Sequence, residues 1–154
     1  IQLGRRFRAL KLWMLIRYFG VEGIAARIEQ HCRMAGELAA WVAADSEWQV
    51  LAPVPFSTVC LRHRPADLAG QEDDPAVRAR LDAHNEAVLE RVNQSGDIFL
   101  SHTRLSDRFA IRVSLGNPRQ RPDHVARCWS LLREAAAFAA RRETDPAAAR
   151  RRDP

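Results

Sequence analysis

The sequence predicts an α+β fold: an antiparallel sheet of about four strands with helices on one face, preceded by a long helix. Three observations carry this. Runs with helical spacing of apolar residues, near 7–19, 21–45, 75–94 and 122–141, are interspersed with runs of period two, at 48–54, 58–63, 98–103 and 108–115. The strand runs come in neighbouring pairs joined by short breaks, the arrangement of antiparallel hairpins. No internal repeat or regular β-α-β alternation suggests a doubly wound sheet.

The first helix is apolar nearly all round: Phe7, Leu10, Met14 and Tyr18 follow one stripe, and Leu12, Trp13, Ile16 and Phe19 fill the other side. Such a helix is expected to be buried against something. Gly20 is a C-terminal stop signal, and Gly20 and Gly23 mark the joint to a second helix, about Val21 to Asp45, with Ile24, Ile28, Cys32, Ala35, Ala39 and Val42 on one face. Trp48 to Val54 and Thr58 to His63 then read as two short strands, separated by Pro53-Val54-Pro55, a break that no central strand tolerates. Pro65 to Asp74 is expected to be an exposed connection. Asp74-Pro75 offers an N-cap and a first-turn proline for a helix through about Gln94, with Val77, Leu81, Val88, Leu89 and Val92 inward. Ile98 to Thr103 and Arg108 to Leu115 read as a hairpin turning through Arg104-Leu105-Ser106-Asp107. Pro122-Asp123-His124 starts a last helix, with Val125, Cys128, Trp129, Leu132 and Ala136 inward. Beyond about Arg142 the Ala/Arg-rich sequence is expected to be a disordered tail.

Composition narrows the functional classes. A chain of 154 residues with 47% hydrophobic content buries one core. No apolar run approaches the roughly 20 residues of a membrane span and no signal-peptide pattern opens the chain, so the expectation is a cytoplasmic protein with no membrane partner. Cys32, Cys60 and Cys128 lack C-x-x-C spacing and are read as buried small hydrophobes. His31, His63, His84 and His124 show no ligand spacing, so no metal is expected. The net charge of +5 is nearly all arginine, Lys11 being the sole lysine. It is spread along helices and the tail without a basic stripe interleaved with aromatics, which argues against a nucleic-acid partner.

Two separated motifs carry a family resemblance. Leu3-Gly4-Arg5-Arg6-Phe7-Arg8-Ala9-Leu10-Lys11-Leu12-Trp13 resembles the P-L-G-R-R-F-R-x-L-K-x-W segment that leads into the C-terminal domain of the pyridoxal-phosphate (PLP) dependent aromatic-L-amino-acid decarboxylases, the group II decarboxylases. Gly96-Asp97-Ile98-Phe99-Leu100-Ser101-His102-Thr103-Arg104-Leu105, then Arg108-Phe109-Ala110-Ile111-Arg112-Val113-Ser114-Leu115-Gly116-Asn117, is similar to the family's terminal hairpin, and His124-Val125-Ala126-Arg127-Cys128-Trp129 to its H-V-x-x-x-W helix. The matching stretches run from residue 1 to about 140 in the family's order.

The resemblance implies the C-terminal part of a fold-type-I PLP enzyme. Residues 1–20 would be the interdomain helix continuing from a large PLP-binding domain outside this chain, residues 21–141 the small domain, and residues 142–154 the tail. It implies a carboxy-lyase, active as a homodimer when complete, that converts an aromatic L-amino acid to its amine and CO2; the cofactor takes up the electrons left as CO2 departs, and the protein supplies orientation and exclusion of water. Alternatives of the same fold are an aromatic aldehyde synthase or a glutamate or histidine decarboxylase. A non-enzymatic basic interaction module is the alternative of another class.

The family's Schiff-base lysine follows a histidine, and this chain has no His-Lys pair. Lys11 is therefore read as structural, and no catalytic residue is assigned within the chain. In related glutamate decarboxylases an arginine at the position of Arg112 contacts the substrate α-carboxylate, which makes Arg112 a substrate-binding candidate. A guanidinium fork matches a carboxylate bidentately. The other reading of Arg112 is an ion pair with an acid of the large domain. Gly4 is the second substrate-binding candidate: the aromatic decarboxylases carry glycine there and the histidine decarboxylases serine, and a missing side chain leaves room for an aromatic ring. It reads equally as a helix-start glycine. His102 is read as hydrogen-bonded structure, and Arg5, Arg6 and Arg8 as interdomain and dimer contacts.

Overall fold

A computed structural model of the chain describes residues 8–144. Its elements are α1 (Arg8–Ala44), β1 (Trp48–Val50), β2 (Thr58–His63), α2 (Pro75–Gln94), β3 (Ser101–Leu105), β4 (Arg108–Ser114) and α3 (Pro122–Thr144). The four strands form one antiparallel sheet in the order β1-β2-β4-β3. Gly4, Arg5 and Arg6 lie outside the described residues, as does the chain after Thr144.

Alternation along the strands decides the layering. Val59 and Leu61 on β2 and Phe109, Ile111 and Val113 on β4 point to the same side, where they join Leu38 and Val42 of α1, Val88 and Val92 of α2, and Val125 and Leu132 of α3 in one buried cluster. The residues between them, Thr58, Cys60, Arg112 and Ser114, stay partly or fully exposed on the opposite side. The sheet is therefore covered by helices on one face, while the other is open at Thr58, Cys60, Arg112 and Ser114 but buried at Arg62 and Ala110.

Gly20 breaks α1 with non-helical φ/ψ (67°, 174°), a region open to glycine and costly for any residue with a Cβ. The second half of α1 packs through His31, Met34, Ala35, Leu38 and Val42. This corrects the expected face: Ile28 is 53% exposed, because the face closing on the sheet is centred on Met34 and Leu38. The N-terminal half leaves Leu12, Trp13, Met14, Ile16 and Tyr18 exposed, with Tyr18 at 81%.

α2 begins as its sequence requires, with Asp74 Oδ1 accepting from the Ala76 amide at 2.7 Å and Pro75 in the first turn. The 65–74 connection is less exposed than expected, since a 3-10 turn at Ala66–Leu68 buries Leu68. The hairpin is tighter and displaced. Ser106 and Asp107 both take positive φ (49° and 60°), a two-residue turn, so Arg104 and Leu105 join β3. At the other end Asn93 binds both backbone groups of Leu100, accepting from its amide at 2.8 Å and donating to its carbonyl at 3.1 Å, which keeps residues 98–100 out of the ladder.

Of the cysteines only Cys128 is buried; Cys32 and Cys60 are half-buried, which corrects the expectation for those two. Burial pushes the Cys128 thiol up from 9.0 to about 12. The thiol is thus protonated in the fold while an unfolded chain releases the proton above pH 9, so stability is lost as pH rises from 9 towards 12, on the order of 4 kcal/mol in total. Native labelling with iodoacetamide at pH 8, read by mass spectrometry, is expected to modify Cys32 and Cys60 and spare Cys128. Labelling of Cys128 as fast as the other two would refute its burial.

Candidate functional site

Arg112 stands in the middle of the open sheet face. On β4 it lies across from Ser101 of β3 and Cys60 of β2, so one row of that face reads Ser101, Arg112, Cys60. Its Nε donates to Ser101 Oγ at 3.1 Å, which fixes the plane of the guanidinium from one edge. The side chain is exposed, and no acceptor among the described residues takes its two terminal nitrogens. A fork held at Nε and free at both Nη atoms is suited to a planar carboxylate arriving from outside this chain. In the neighbouring row the hydroxyls of Thr58 and Ser114 are 3.3 Å apart. Phe99, next to the buried Leu100, is 84% exposed.

The other sequence candidates are not gathered beside Arg112. His102 pairs with Ile111 in the register, which puts it on the helix-covered side, where its ring stacks on Phe109 at 4.9 Å and 14°. The side chain is exposed, and the ring stack, not a hydrogen bond, is what the described residues give it. His31 Nε2 is 3.2 Å from the Asn117 carbonyl oxygen. His63 Nδ1 and His84 Nε2 are 2.8 Å apart in the interior, and His124 is 3.9 Å from Asp123, whose carboxyl a hydrogen bond from Arg121 holds at about 2. Among the described residues no group of three or more His, Cys, Asp or Glu side chains is placed to hold a metal.

Lys11 lies in a shallow hollow of α1 lined by Trp13, Met14, Leu15, Arg17, Tyr18 and Phe19. The hollow holds no carboxylate to meet a pyridine nitrogen. No helix among them is long and apolar enough to cross a membrane.

Two features escape the sequence reading. Arg62 belongs to the open face by its pairing with Gln49, yet it is 1% exposed; its Nε donates to Gln49 Oε1 at 3.2 Å while Nη1 and Nη2 have no partner. The signal was present, since Arg62 shares the parity of Thr58 and Cys60 in Thr58-Val59-Cys60-Leu61-Arg62-His63. The second is Asn85, fully buried and bound to the backbone of β2.

Residues 1–64 match the pyridoxal-dependent decarboxylase conserved domain. The chain is 40% identical over 136 residues to tryptophan decarboxylase 2 of Oryza sativa subsp. japonica, covering 88% of this chain and 26% of the relative. It is 35% identical over 138 residues to phenylacetaldehyde synthase of Arabidopsis thaliana, covering 90% and 26%. A solved structure of Oryza sativa TDC with PLP and tryptamine superposes with a TM-score of 0.75 at 33% identity, over 90% of this chain and 28% of that one. The chain is a homologue of the pyridoxal-dependent decarboxylases. It spans about a quarter of the length of these relatives. Its layered sheet is the fold of the corresponding part of a pyridoxal-dependent decarboxylase, and the first of the motifs noted in the sequence falls within the matched residues 1–64.

Proposed function

We propose that this chain is the C-terminal portion of a PLP-dependent carboxy-lyase that converts an aromatic L-amino acid to its amine and CO2. The observation that carries the reading is its 38–40% identity, over 136 residues, to tyrosine and tryptophan decarboxylases. On this reading residues 1–20 link to a PLP-binding portion outside the chain and residues 21–141 form the small domain. The complete enzyme is a cytoplasmic homodimer. The Schiff-base lysine belongs to the outside portion, so the chain alone is inactive.

The contribution of this chain is binding and orientation. Arg112 takes the substrate carboxylate on its free Nη edge while Ser101 holds the other edge, and the open face of the sheet closes over the substrate so that water is excluded. Gly4, without a side chain, leaves room for an aromatic ring.

A second reading is supported by the similarity to phenylacetaldehyde synthase. Such an enzyme consumes O2 and releases aldehyde, CO2, ammonia and hydrogen peroxide in place of the amine. One assay separates the two. The full polypeptide, supplied with PLP and offered L-tyrosine, L-DOPA, L-tryptophan, L-phenylalanine, L-histidine and L-glutamate, is expected to release amine and CO2 from an aromatic substrate without consuming O2. Peroxide and aldehyde would replace the first reading by the second. No turnover of any substrate by folded protein with PLP bound would remove both.

A further inference from the structure

α1 changes direction at a single residue, and side chains from both of its halves meet there. Gly20 takes φ/ψ of 67° and 174°, and no atom lies within 4 Å of the place a Cβ would occupy, so backbone conformation alone reserves the position for glycine. A Cβ at Gly23 would stand 3.4 Å from the Phe19 Cβ, and its absence lets Phe19 lie against the first turn after the bend. Over the Phe19 ring sits Arg27, its guanidinium carbon 4.1 Å from the ring centroid. On a straight helix eight residues span about 12 Å and both side chains lean towards the N-terminus, so the stack depends on the bend. Arg27 Nε is buried without an acceptor, and Nη1 donates to the Pro118 carbonyl at 3.4 Å; one turn later His31 Nε2 stands 3.2 Å from the Asn117 carbonyl oxygen. α1 is thus tied at two points to the turn into which β4, the strand of Arg112, runs.

Residues 9–18 are exposed throughout, so among the described residues the N-terminal half of α1 is not packed on the body of the fold, whereas the second half is seated through Met34, Leu38 and Val42. A bare helix and a packed one are joined at a glycine, and the angle between them depends on what crosses the joint. The cation of Arg27 is attracted to the face of the Phe19 ring, more strongly where water is kept off the guanidinium, as it is at Nε. We infer that Arg27 is a positioning residue: stacked on Phe19 and bonded to Pro118, it locks the bend at Gly20 and so fixes the sheet that carries Arg112 relative to the N-terminal half of α1. The inference rests on the reading of residues 1–20 as the link to a PLP-binding portion outside the chain. On that reading the angle at Gly20 sets where the Arg112 fork stands at the substrate carboxylate. A misplacement of about 1 Å costs on the order of a hundredfold in rate, and a loosened joint that still samples the right angle costs less.

The test uses the full polypeptide with PLP. Arg27→Leu keeps bulk at the joint and removes the cation and its bond to Pro118; it is expected to lower kcat/KM for the aromatic substrate by about tenfold. In an Arg112→Ala background the same change is expected to cost less than about threefold, because the group it positions is gone, whereas a residue that only supports folding costs the same factor in both backgrounds. Arg27→Lys keeps a cation and loses the planar stack. It is expected to lose about threefold, with no further loss beside Arg112→Ala, and it carries the comparison if the Leu variant does not fold. A second readout needs no turnover. Amide exchange over 17–24, measured by mass spectrometry, is expected to quicken by about tenfold in Arg27→Leu and in Phe19→Leu, and by no more in the double variant, while exchange over 34–42 is unchanged. Equal losses in both Arg112 backgrounds, additive effects of the Phe19 and Arg27 changes, or unmoved exchange over 17–24 would overturn the inference. Absence of turnover by the folded, unmodified protein would remove the enzymatic reading and the positioning of Arg112 with it, while the exchange series would separately show whether Arg27 holds the bend.

Discussion

Arg112→Ala in the full polypeptide is expected to lower kcat/KM for the aromatic substrate by about a hundredfold to a thousandfold, with the thermal midpoint nearly unchanged. Removing one partner of a charge-assisted, bidentate contact costs roughly 3–4 kcal/mol, which is that range of rate. The thermal prediction follows from the local structure. Arg112 is exposed and makes one hydrogen bond, to Ser101, so the fold loses little when it is cut back. Arg112→Lys keeps the charge but not the fork and should fall between the two. If Arg112 pairs with an acid of the large domain, the other reading of this residue, the result reverses: the midpoint drops, and kcat/KM follows only as far as folding does. A loss of less than threefold in kcat/KM would remove Arg112 from the substrate site.

Much of the fold was legible because local chemistry and tertiary demand agree. α2 starts and stops at Pro75 and Gln94, as the Asp74-Pro75 cap and the Ser95-Gly96 exit require. β2 occupies Thr58–His63, where alternation is cleanest, and Gly20 breaks α1 where the stop signal stands. The differences come from contacts distant in sequence. β1 ends at Val50, the proline-rich stretch after it having few amides to offer a partner strand. β3 starts at Ser101 because Asn93, on a helix, has taken the backbone of Leu100. The inward face of the second half of α1 was misjudged by about one helical position, since apolar residues flank the expected stripe and contact with the sheet selects Met34 and Leu38 over Ile28. The site was half legible. Arg112 was found through its motif, but its exposure, its bond to Ser101 and the buried Arg62 two strand positions from Cys60 depend on register, which no single strand reveals.

Asn85 is the residue whose loss should cost the fold most for its size. β2 and β4 are paired from Thr58–Ser114 to Leu61–Ile111, and continuing that register would set Arg62 against Ala110 and then His63 against Phe109. There α2 intervenes. Asn85 Oδ1 accepts from the His63 amide at 2.7 Å and its Nδ2 donates to the His63 carbonyl at 2.8 Å, while Asp82 Oδ1 accepts from the Phe109 amide at 2.9 Å. Side chains of one helix thus complete the ladder on both strands, and Nδ2 also donates to the Leu81 carbonyl at 2.8 Å, which leaves Asn85 no unused donor. Asn85→Leu is similar in volume but strands a buried amide and a buried carbonyl at the end of β2, each costing about 1–3 kcal/mol. Amide exchange across 59–63, measured by mass spectrometry on the full polypeptide, is therefore expected to quicken by roughly a hundredfold to a thousandfold in Asn85→Leu. Asn85→Ala should exchange at least as fast, because it adds a small cavity to the same unmet bonds. If Asn85→Leu exchanges within about threefold of the unmodified protein, the site is held by packing alone. The splice between β2, α2 and β4 would then be incidental to the sheet that carries Arg62 and Arg112.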